Sequence, residues 1–390
     1  MKRNILILFS SLSIFFGANA KNIITGAERI EQYLPLLKGK QVGLVINQTS
    51  VVGSTHLLDT LISLGINIKT VFAPEHGFRG IADAGEHVNN GIDAKTKTPI
   101  VSLYGENKKP KPEQLKNIDV LVFDIQDVGV RFYTYISTLQ YVMEACAENN
   151  KPLLVLDRPN PNGHYIDGSV LENENKSFVG MQAVPVVYGM TIGEYAKMVN
   201  GEKLLANKLQ CTLTVIPCLN YDHKTFYTLP VKPSPNLPNM AAVYLYPSLC
   251  FFEGTDYVSL GRGTSKPFQI YGSNQFSGKQ PFNFTPKSME GAKTPPLLDK
   301  QCTGYDLSTI PLDSLRKQKF TLKYLVNAYK LSIEKNKFFN SFFIKLSGTT
   351  LLATQIQKGV SEKVIKANWQ PALIKFKAIR KKYLLYKDFE

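Results

Sequence analysis

The stretch Phe72-Ala-Pro-Glu75-His76-Gly77-Phe78-Arg79-Gly80 sets a carboxyl, an imidazole and a guanidinium around one glycine, behind a proline. A glutamate can serve as general acid or base, and a histidine can orient it or titrate beside it. An arginine can hold an anion through two parallel hydrogen bonds. Ile68–Phe72 just upstream reads as a short buried strand, and the Pro and Gly residues then force the chain out of the sheet. Glu75, His76 and Arg79 are therefore expected at the carboxyl end of a parallel strand, where open α/β sheets bind their ligands. The plainer reading of the same residues is a Glu75–Arg79 ion pair that pins a turn.

Such a site needs a sheet beneath it, and the N-terminal half supplies the pattern. Strands are expected at 41–47, 68–72, 98–104, 120–125 and 152–157, with helices at 56–64, 112–116 and 134–149. Apolar runs separated by helices imply an α/β fold, with a parallel sheet covered on both faces and right-handed crossovers. This is a Rossmann-like arrangement without the nucleotide fingerprint, because no P-loop is present and no Gly-x-Gly-x-x-Gly follows the first strand. Three expected strands end in acids, namely Glu75, Asp124 with Asp127, and Asp157. Polar groups at several carboxyl ends of one sheet converge in space.

Downstream, Arg158–Gly163 is a run of turn formers, and Thr191 is placed to cap a helix reaching Asn200. Segments 233–238 and 246–247 read as loop, and the Pro-, Lys- and Gly-rich stretch 278–296 reads as a linker. Beyond it, helices are expected at 322–336 and 362–383, with β-like Phe342–Leu346 between them. The expected division is a leader over 1–20, a Rossmann-like domain over 21–277 and a smaller C-terminal α/β domain over 278–390.

Met1-Lys2-Arg3, an apolar run from Ile5 to Phe16 and Ala18-Asn19-Ala20 have the layout of a secretory signal peptide. The run is shorter than the roughly 20 residues that span a bilayer, and no later run qualifies. The expectation is an exported protein, periplasmic or secreted after cleavage near Ala20, with no stable membrane insertion. The formal charge of +15 loses Lys2 and Arg3 with the leader. The remaining excess suits an anionic wall polymer or a membrane surface, and export makes nucleic acid the weakest partner. Cys146, Cys211, Cys218, Cys250 and Cys302 are too sparse for a disulfide framework. An extended chain between Cys211 and Cys218 would hold their sulfurs too far apart to bond. No Cys-x-x-Cys or His-Glu-x-x-His spacing occurs, so no metal and no cofactor is expected.

The polar turns share an order. Pro74-Glu-His-Gly77, Ser102-Leu-Tyr-Gly105, Phe123-Asp-Ile-Gln-Asp-Val-Gly129, Arg131-Phe-Tyr-Thr-Tyr135 and Asp157-Arg-Pro-Asn-Pro161 come first. Tyr188-Gly-Met-Thr191, Ser234-Pro-Asn236, Phe252-Glu-Gly-Thr255 and Gly261-Arg-Gly-Thr264 follow. Read together they resemble the NamZ family of exo-acting β-N-acetylmuramidases, along nearly the whole chain after the leader. The resemblance implies two domains with the active site in the cleft between them. It further implies release of N-acetylmuramic acid from the non-reducing ends of peptidoglycan fragments, with Glu75 as the catalytic residue. Family members carry a Trp-containing segment before Ser-Pro-Asn, where this chain has Tyr221.

Glycoside hydrolysis fits these residues. A glycosidic oxygen leaves poorly until protonated, so a carboxylic acid kept protonated near neutral pH is wanted, and Glu75 beside Phe72 and Phe78 suits that role. His76 either hydrogen-bonds it or is structural. Asp127 leads as second carboxylate, with Asp157 next. N-Acetylmuramic acid carries a lactyl carboxylate, which calls for a cation, and a bidentate arginine is the natural choice. One or two of Arg79, Arg131, Arg158 and Arg262 are expected to grip it. Tyr133 could pack under the sugar ring, and Asn160 and Asn236 could meet its hydroxyl or acetamido groups. A competing reading is a non-catalytic peptidoglycan-binding protein of the same fold, whose mark would be loss of the motif acids. Another is an esterase, but the Gly-x-Ser-x-Gly elbow is missing.

Overall fold

Among the described residues seven strands build the central sheet, and their order decides where a ligand can sit. The computed structural model describes residues 22–74, 78 and 90–390. The expected leader over 1–20, Glu75, His76 and Arg79 lie outside the described residues. The strands are β1 (Gln41–Ile46), β2 (Asn67–Ala73), β3 (Gly91–Ile92), β4 (Pro99–Ser102), β5 (Val120–Asp124), β6 (Leu153–Leu156) and β7 (Leu213–Ile216). They lie in the order β3-β4-β2-β1-β5-β6-β7, all parallel except the short edge strand β3. The chain moves outward from β1 through β2 to β4, then returns to lay β5 on the other side of β1. That reversal opens a crevice beyond the carboxyl ends of β1 and β5, the usual ligand position in open α/β sheets.

Side chains of successive strand residues point to opposite faces, and both faces are covered. Leu44, Val71, Val122 and Leu154 pack with Tyr33 and Leu37 of α1 (Ile30–Leu37) and Leu57, Leu58 and Leu61 of α2 (Leu57–Ser63). Val45, Phe72, Leu121, Phe123 and Val155 pack in the opposite core, together with buried residues of later helices. These include α4 (Tyr135–Glu148), α5 (Ile192–Gly201) and α6 (Met240–Leu249), α3 (Pro112–Leu115) being a single short turn. Double-sided burial explains why β1 and β5 read as continuous apolar runs rather than alternating ones. Thr191 caps α5 as expected: its hydroxyl accepts from Glu194 N at 3.2 Å while the Glu194 carboxylate takes the Thr191 N–H at 2.9 Å. Such a box typically stabilises a helix by about 1 kcal/mol.

Three local expectations are corrected. Tyr246-Pro247 lies inside helix α6, not in a loop. Proline removes the N–H that Val243 O would accept, and Asn162 Nδ2 donates to that carbonyl instead at 3.3 Å. Phe342–Leu346 contributes to a short helix, α9 (Phe343–Ser347), rather than a strand. Gly348, left-handed at φ 71°, stops it, and burial of Phe343, Leu346 and Ser347 follows helical spacing. Stretch 278–296 is more than a linker, because it contains β9 (Phe282–Phe284). That strand is the edge of an antiparallel sheet ordered β8 (Ile270–Ser273), β10 (Cys302–Asp306), β9. Prolines at 281 and 286 flank the edge, where a missing donor is tolerated.

The remaining helices are α7 (Leu312–Gln318), α8 (Lys323–Leu331), α10 (Leu351–Gln357) and α11 (Glu362–Arg380). Their buried residues share one core with α4, α5 and α6, including Leu315, Leu325, Leu352, Trp369 and Phe376. All five cysteines are free and buried. Among the described residues no helix is long and apolar enough to cross a membrane.

Candidate active site

The loop after β1 and the loop after β5 are joined by one network. Asn47 Oδ1 accepts from Thr49 N at 2.9 Å and from Thr49 Oγ1 at 2.6 Å, and Thr49 Oγ1 in turn accepts from Gln126 N at 3.0 Å. The Ser50 hydroxyl donates to the Asp124 carbonyl. Gln48 Nε2 reaches outward to the Pro233 carbonyl at 3.0 Å, and Tyr133 Oη donates to the same carbonyl at 2.8 Å. Segment 231–238 is thereby tied across the carboxyl ends of β1 and β5.

Beside that tie lies a cavity of about 200 Å³ lined by Phe132, Tyr133, Ser234, Tyr246, Glu253 and Arg262, among others. Four of the polar motifs meet here: the Arg131–Tyr135 turn, Ser234–Asn236, Phe252–Thr255 and Gly261–Thr264. Phe132, Tyr246 and Phe268 pack edge to face, with Phe132–Tyr246 centroids at 5.5 Å and Tyr246–Phe268 at 4.9 Å. Aromatic walls of this kind suit the C–H faces of a pyranose. The charged pair is Arg262 and Glu253, with Nη2 and Nε donating to Oε1 at 2.5 and 3.1 Å. Burial would lower the Arg262 guanidinium, but the adjacent Glu253 carboxylate outweighs this and holds it above its ordinary value.

The expected site residues separate by where the structure places them. Tyr133 and Arg262 line the cavity. Asn236 borders a neighbouring recess, its Nδ2 donating to Gly291 O at 2.8 Å, so its amide closes a loop. Glu75, His76 and Arg79 lie outside the described residues; by sequence Glu75 follows the last residue of β2 by two positions.

Arg131, Arg158, Asp157 and Asn160 are engaged in the scaffold, as expected for those of the arginines that do not bind ligand. Arg158 Nε and Nη2 reach both oxygens of Asp124 at 2.5 and 2.8 Å, and Nη2 also donates to Val51 O at 2.9 Å. With both side chains buried, this fork is spent inside the protein. Truncating one partner of such a pair strands a charge, at a cost of about 3–5 kcal/mol. Arg131 donates to three carbonyls, Ser169 O at 2.6 Å, Val184 O at 2.9 Å and Leu346 O at 2.7 Å. It joins the 169–184 region to the end of α9. Burial pushes its guanidinium down to about 9.

Asp157 accepts from Thr191 Oγ1 at 2.7 Å, Gly193 N at 2.8 Å and Tyr386 Oη at 2.6 Å. It therefore sits at the N-terminus of α5, where a negative charge is favoured. Burial nevertheless raises it to about 6, with Tyr386 pulling down and Glu194 pushing up. Asn160 is likewise consumed, donating to Met190 O at 2.8 Å and accepting from Asn162 N at 2.8 Å. Tyr221 packs against Tyr386 at 4.9 Å and is buried, so it offers no stacking surface to the cavity.

Asp127 is different. Its Oδ2 accepts from Gly129 N at 2.6 Å and from the Tyr188 hydroxyl. Among the described residues its Oδ1 has no hydrogen-bond partner, although the residue is only 4 % exposed. Burial raises the carboxyl to about 7, against the pull of those two donors. A carboxyl that titrates near neutrality suits acid–base work. It lies at the β5 end but does not line the cavity.

Glu253 was not among the expected site residues. The motif Phe252-Glu-Gly-Thr255 was the available signal, an acid held between an aromatic and a glycine. Gly254 is needed because a Cβ there would meet Phe343 Cα at 2.5 Å.

Comparison with known proteins agrees with this layout. Models of the N-terminal and C-terminal parts of the exo-β-N-acetylmuramidase NamZ match residues 42–241 and 244–386. They meet inside α6, ahead of the compositional boundary at 278. The peptidoglycan β-N-acetylmuramidase NamZ of Bacillus subtilis (strain 168) is 38% identical over 390 residues, covering 95% of this chain and 92% of that protein. Two crystal structures of DUF1343 family proteins from Bacteroides fragilis NCTC 9343 superpose with TM-scores of 0.88 and 0.79, at 49% and 30% identity. Each match covers 94% of this chain, with 100% and 99% of the respective structures. With both halves of the sequence and the whole fold in common, the chain belongs to the NamZ family of exo-β-N-acetylmuramidases.

Proposed function

We propose that this protein is a glycoside hydrolase that removes N-acetylmuramic acid, one unit at a time, from the non-reducing ends of peptidoglycan fragments. The observation that carries the reading is the convergence of four distant motif turns on one aromatic, charge-bearing cavity where the strand order reverses. Glu75, the acid of the Pro-Glu-His-Gly motif, is the proton donor to the glycosidic oxygen. His76, its neighbour in sequence, is assigned to assist it, and Asp127 is the second carboxyl. The aromatic walls hold the sugar and the Arg262–Glu253 pair supplies charge. The N-terminal segment ending near Ala20 directs export, which brings the enzyme to its polymer.

Separation of the two reacting carboxyls distinguishes inverting from retaining enzymes, and an acetamido oxygen can replace the second one as nucleophile. Incubating the protein with a chromogenic β-N-acetylmuramide and the matching β-N-acetylglucosaminide tests the reading. Colour is expected from the muramide alone. No release from either substrate, or equal release from both, would contradict it.

A further inference from the structure

Four arginines were candidates for the lactyl carboxylate, and the structure accounts for two of them in the scaffold. Arg262 stands apart in how it is presented. It lies between Gly261 and Gly263, both left-handed, at φ 87° and 77°. A Cβ at Gly261 would meet Lys266 O at 2.5 Å, and one at Gly263 would meet Pro295 Cγ at 2.5 Å. The turn is closed by Thr264 Oγ1 donating to Gly261 O at 2.7 Å and by Lys287 N donating to Gly263 O at 2.8 Å. Only glycine adopts this backbone without strain, so the Arg262 Cα–Cβ direction is fixed.

The side chain is fixed as well. Phe268 lies under the guanidinium, with Cζ at 5.1 Å from the ring centroid. Glu253 engages Nε and Nη2 through a single oxygen, Oε1. Among the described residues its Oε2 accepts only from the Cys250 thiol, at 3.8 Å. A guanidinium has five N–H donors in a planar fork, and this arrangement uses two of them. Among the described residues Nη1 donates to no protein atom. The pair also forms the partition between the 200 Å³ cavity and a second one of about 310 Å³, lined by Val258, Thr294 and Pro295 among others.

We infer that the Nη1–Nη2 edge of Arg262 receives the carboxylate of the substrate's lactyl ether, with Glu253 and Phe268 as the groups that position it. This rests on the muramidase reading above. A glucosaminide lacks the carboxylate and leaves the Arg262–Glu253 pair as it is. Selection therefore comes from bonds gained by the muramide rather than from a clash with its rival. Two charge-assisted bonds to one guanidinium amount to about ten- to a hundredfold in affinity.

The test is competitive inhibition by N-acetylmuramic acid and by its lactyl methyl ester, measured in the wild-type protein, Arg262→Gln and Arg262→Lys. The acid is expected to bind the wild type about ten- to a hundredfold more tightly than the ester. That preference should vanish in Arg262→Gln and fall severalfold in Arg262→Lys, which keeps charge without the fork. The muramide KM should rise with kcat nearly unchanged. Equal inhibition of the wild type by acid and ester overturns the inference, and so does an undiminished preference in either variant. If Arg262→Gln fails to fold, Arg262→Lys and the wild-type ratio still decide. Failure of the wild type to cleave any muramide would instead remove the functional reading itself.

Discussion

Glu75→Gln is expected to lower turnover of a muramic-acid-terminated saccharide by about 10³-fold, within the span seen when a general acid is lost. KM should change little, because the amide keeps the shape of the carboxyl and loses only the proton it gives. The effect should shrink when the leaving group is a nitrophenolate, which departs without protonation, and be largest when it is a sugar alkoxide. Comparing the two substrates in wild type and variant checks this directly. A variant equally impaired on both would indicate a role in binding or in nucleophilic attack. Full activity on the saccharide would remove Glu75 from the chemistry.

Asp127→Asn carries the second large effect, on stability and on rate. A free aspartate ionises near pH 3.9, whereas Asp127 is raised to about 7 in the folded protein. The folded state thus binds more protons than the unfolded state between those values. The contribution of this carboxyl is fully present below about pH 4 and is lost as pH rises through 7, a decline of about 4 kcal/mol. Asparagine mimics the protonated acid, since one oxygen can still accept from Gly129 N and the Tyr188 hydroxyl. Relative to wild type, Asp127→Asn should gain about 4 kcal/mol between pH 4 and pH 8 in denaturant titrations. Asp157, raised to about 6, adds a decline of the same sign that persists in the variant. As the proposed second carboxyl, Asp127 should also cost about a hundredfold in kcat when replaced. Parallel pH–stability curves for the two proteins would contradict the assigned titration, and unchanged kcat would confine Asp127 to the scaffold.

The central strands were legible because burial on both faces writes itself as uninterrupted β-branched and leucine runs, as in Val120–Asp124. The α5 cap was legible because Thr191 and Glu194 sit three residues apart. Helix α6 was hidden by Pro247, whose lost bond is compensated by Asn162, 81 residues away from Val243. Local composition carries no trace of such a partner.

The same holds for the site. Arg131, Arg158 and Arg262 all occur in motif turns, and sequence cannot tell which guanidinium is spent internally. Arg158 is claimed by Asp124 at a separation of 34 residues, and Arg131 by a carbonyl 215 residues on. Asp157 faces the N-terminus of a helix 36 residues later in the chain. Several strands were expected to end in acids, and of these Asp124 and Asp157 are buried and bonded within the scaffold. Glu253, from the second half of the chain, faces the cavity instead.

The central claim is removal of muramic acid from a non-reducing terminus, and two isomeric disaccharides test it most directly. N-Acetylmuramyl-β-1,4-N-acetylglucosamine and N-acetylglucosaminyl-β-1,4-N-acetylmuramic acid are incubated separately with the protein, and the products are weighed by mass spectrometry. The account predicts that the first is split completely into its two sugars and the second stays intact. Cleavage of the second, or survival of the first, would contradict it.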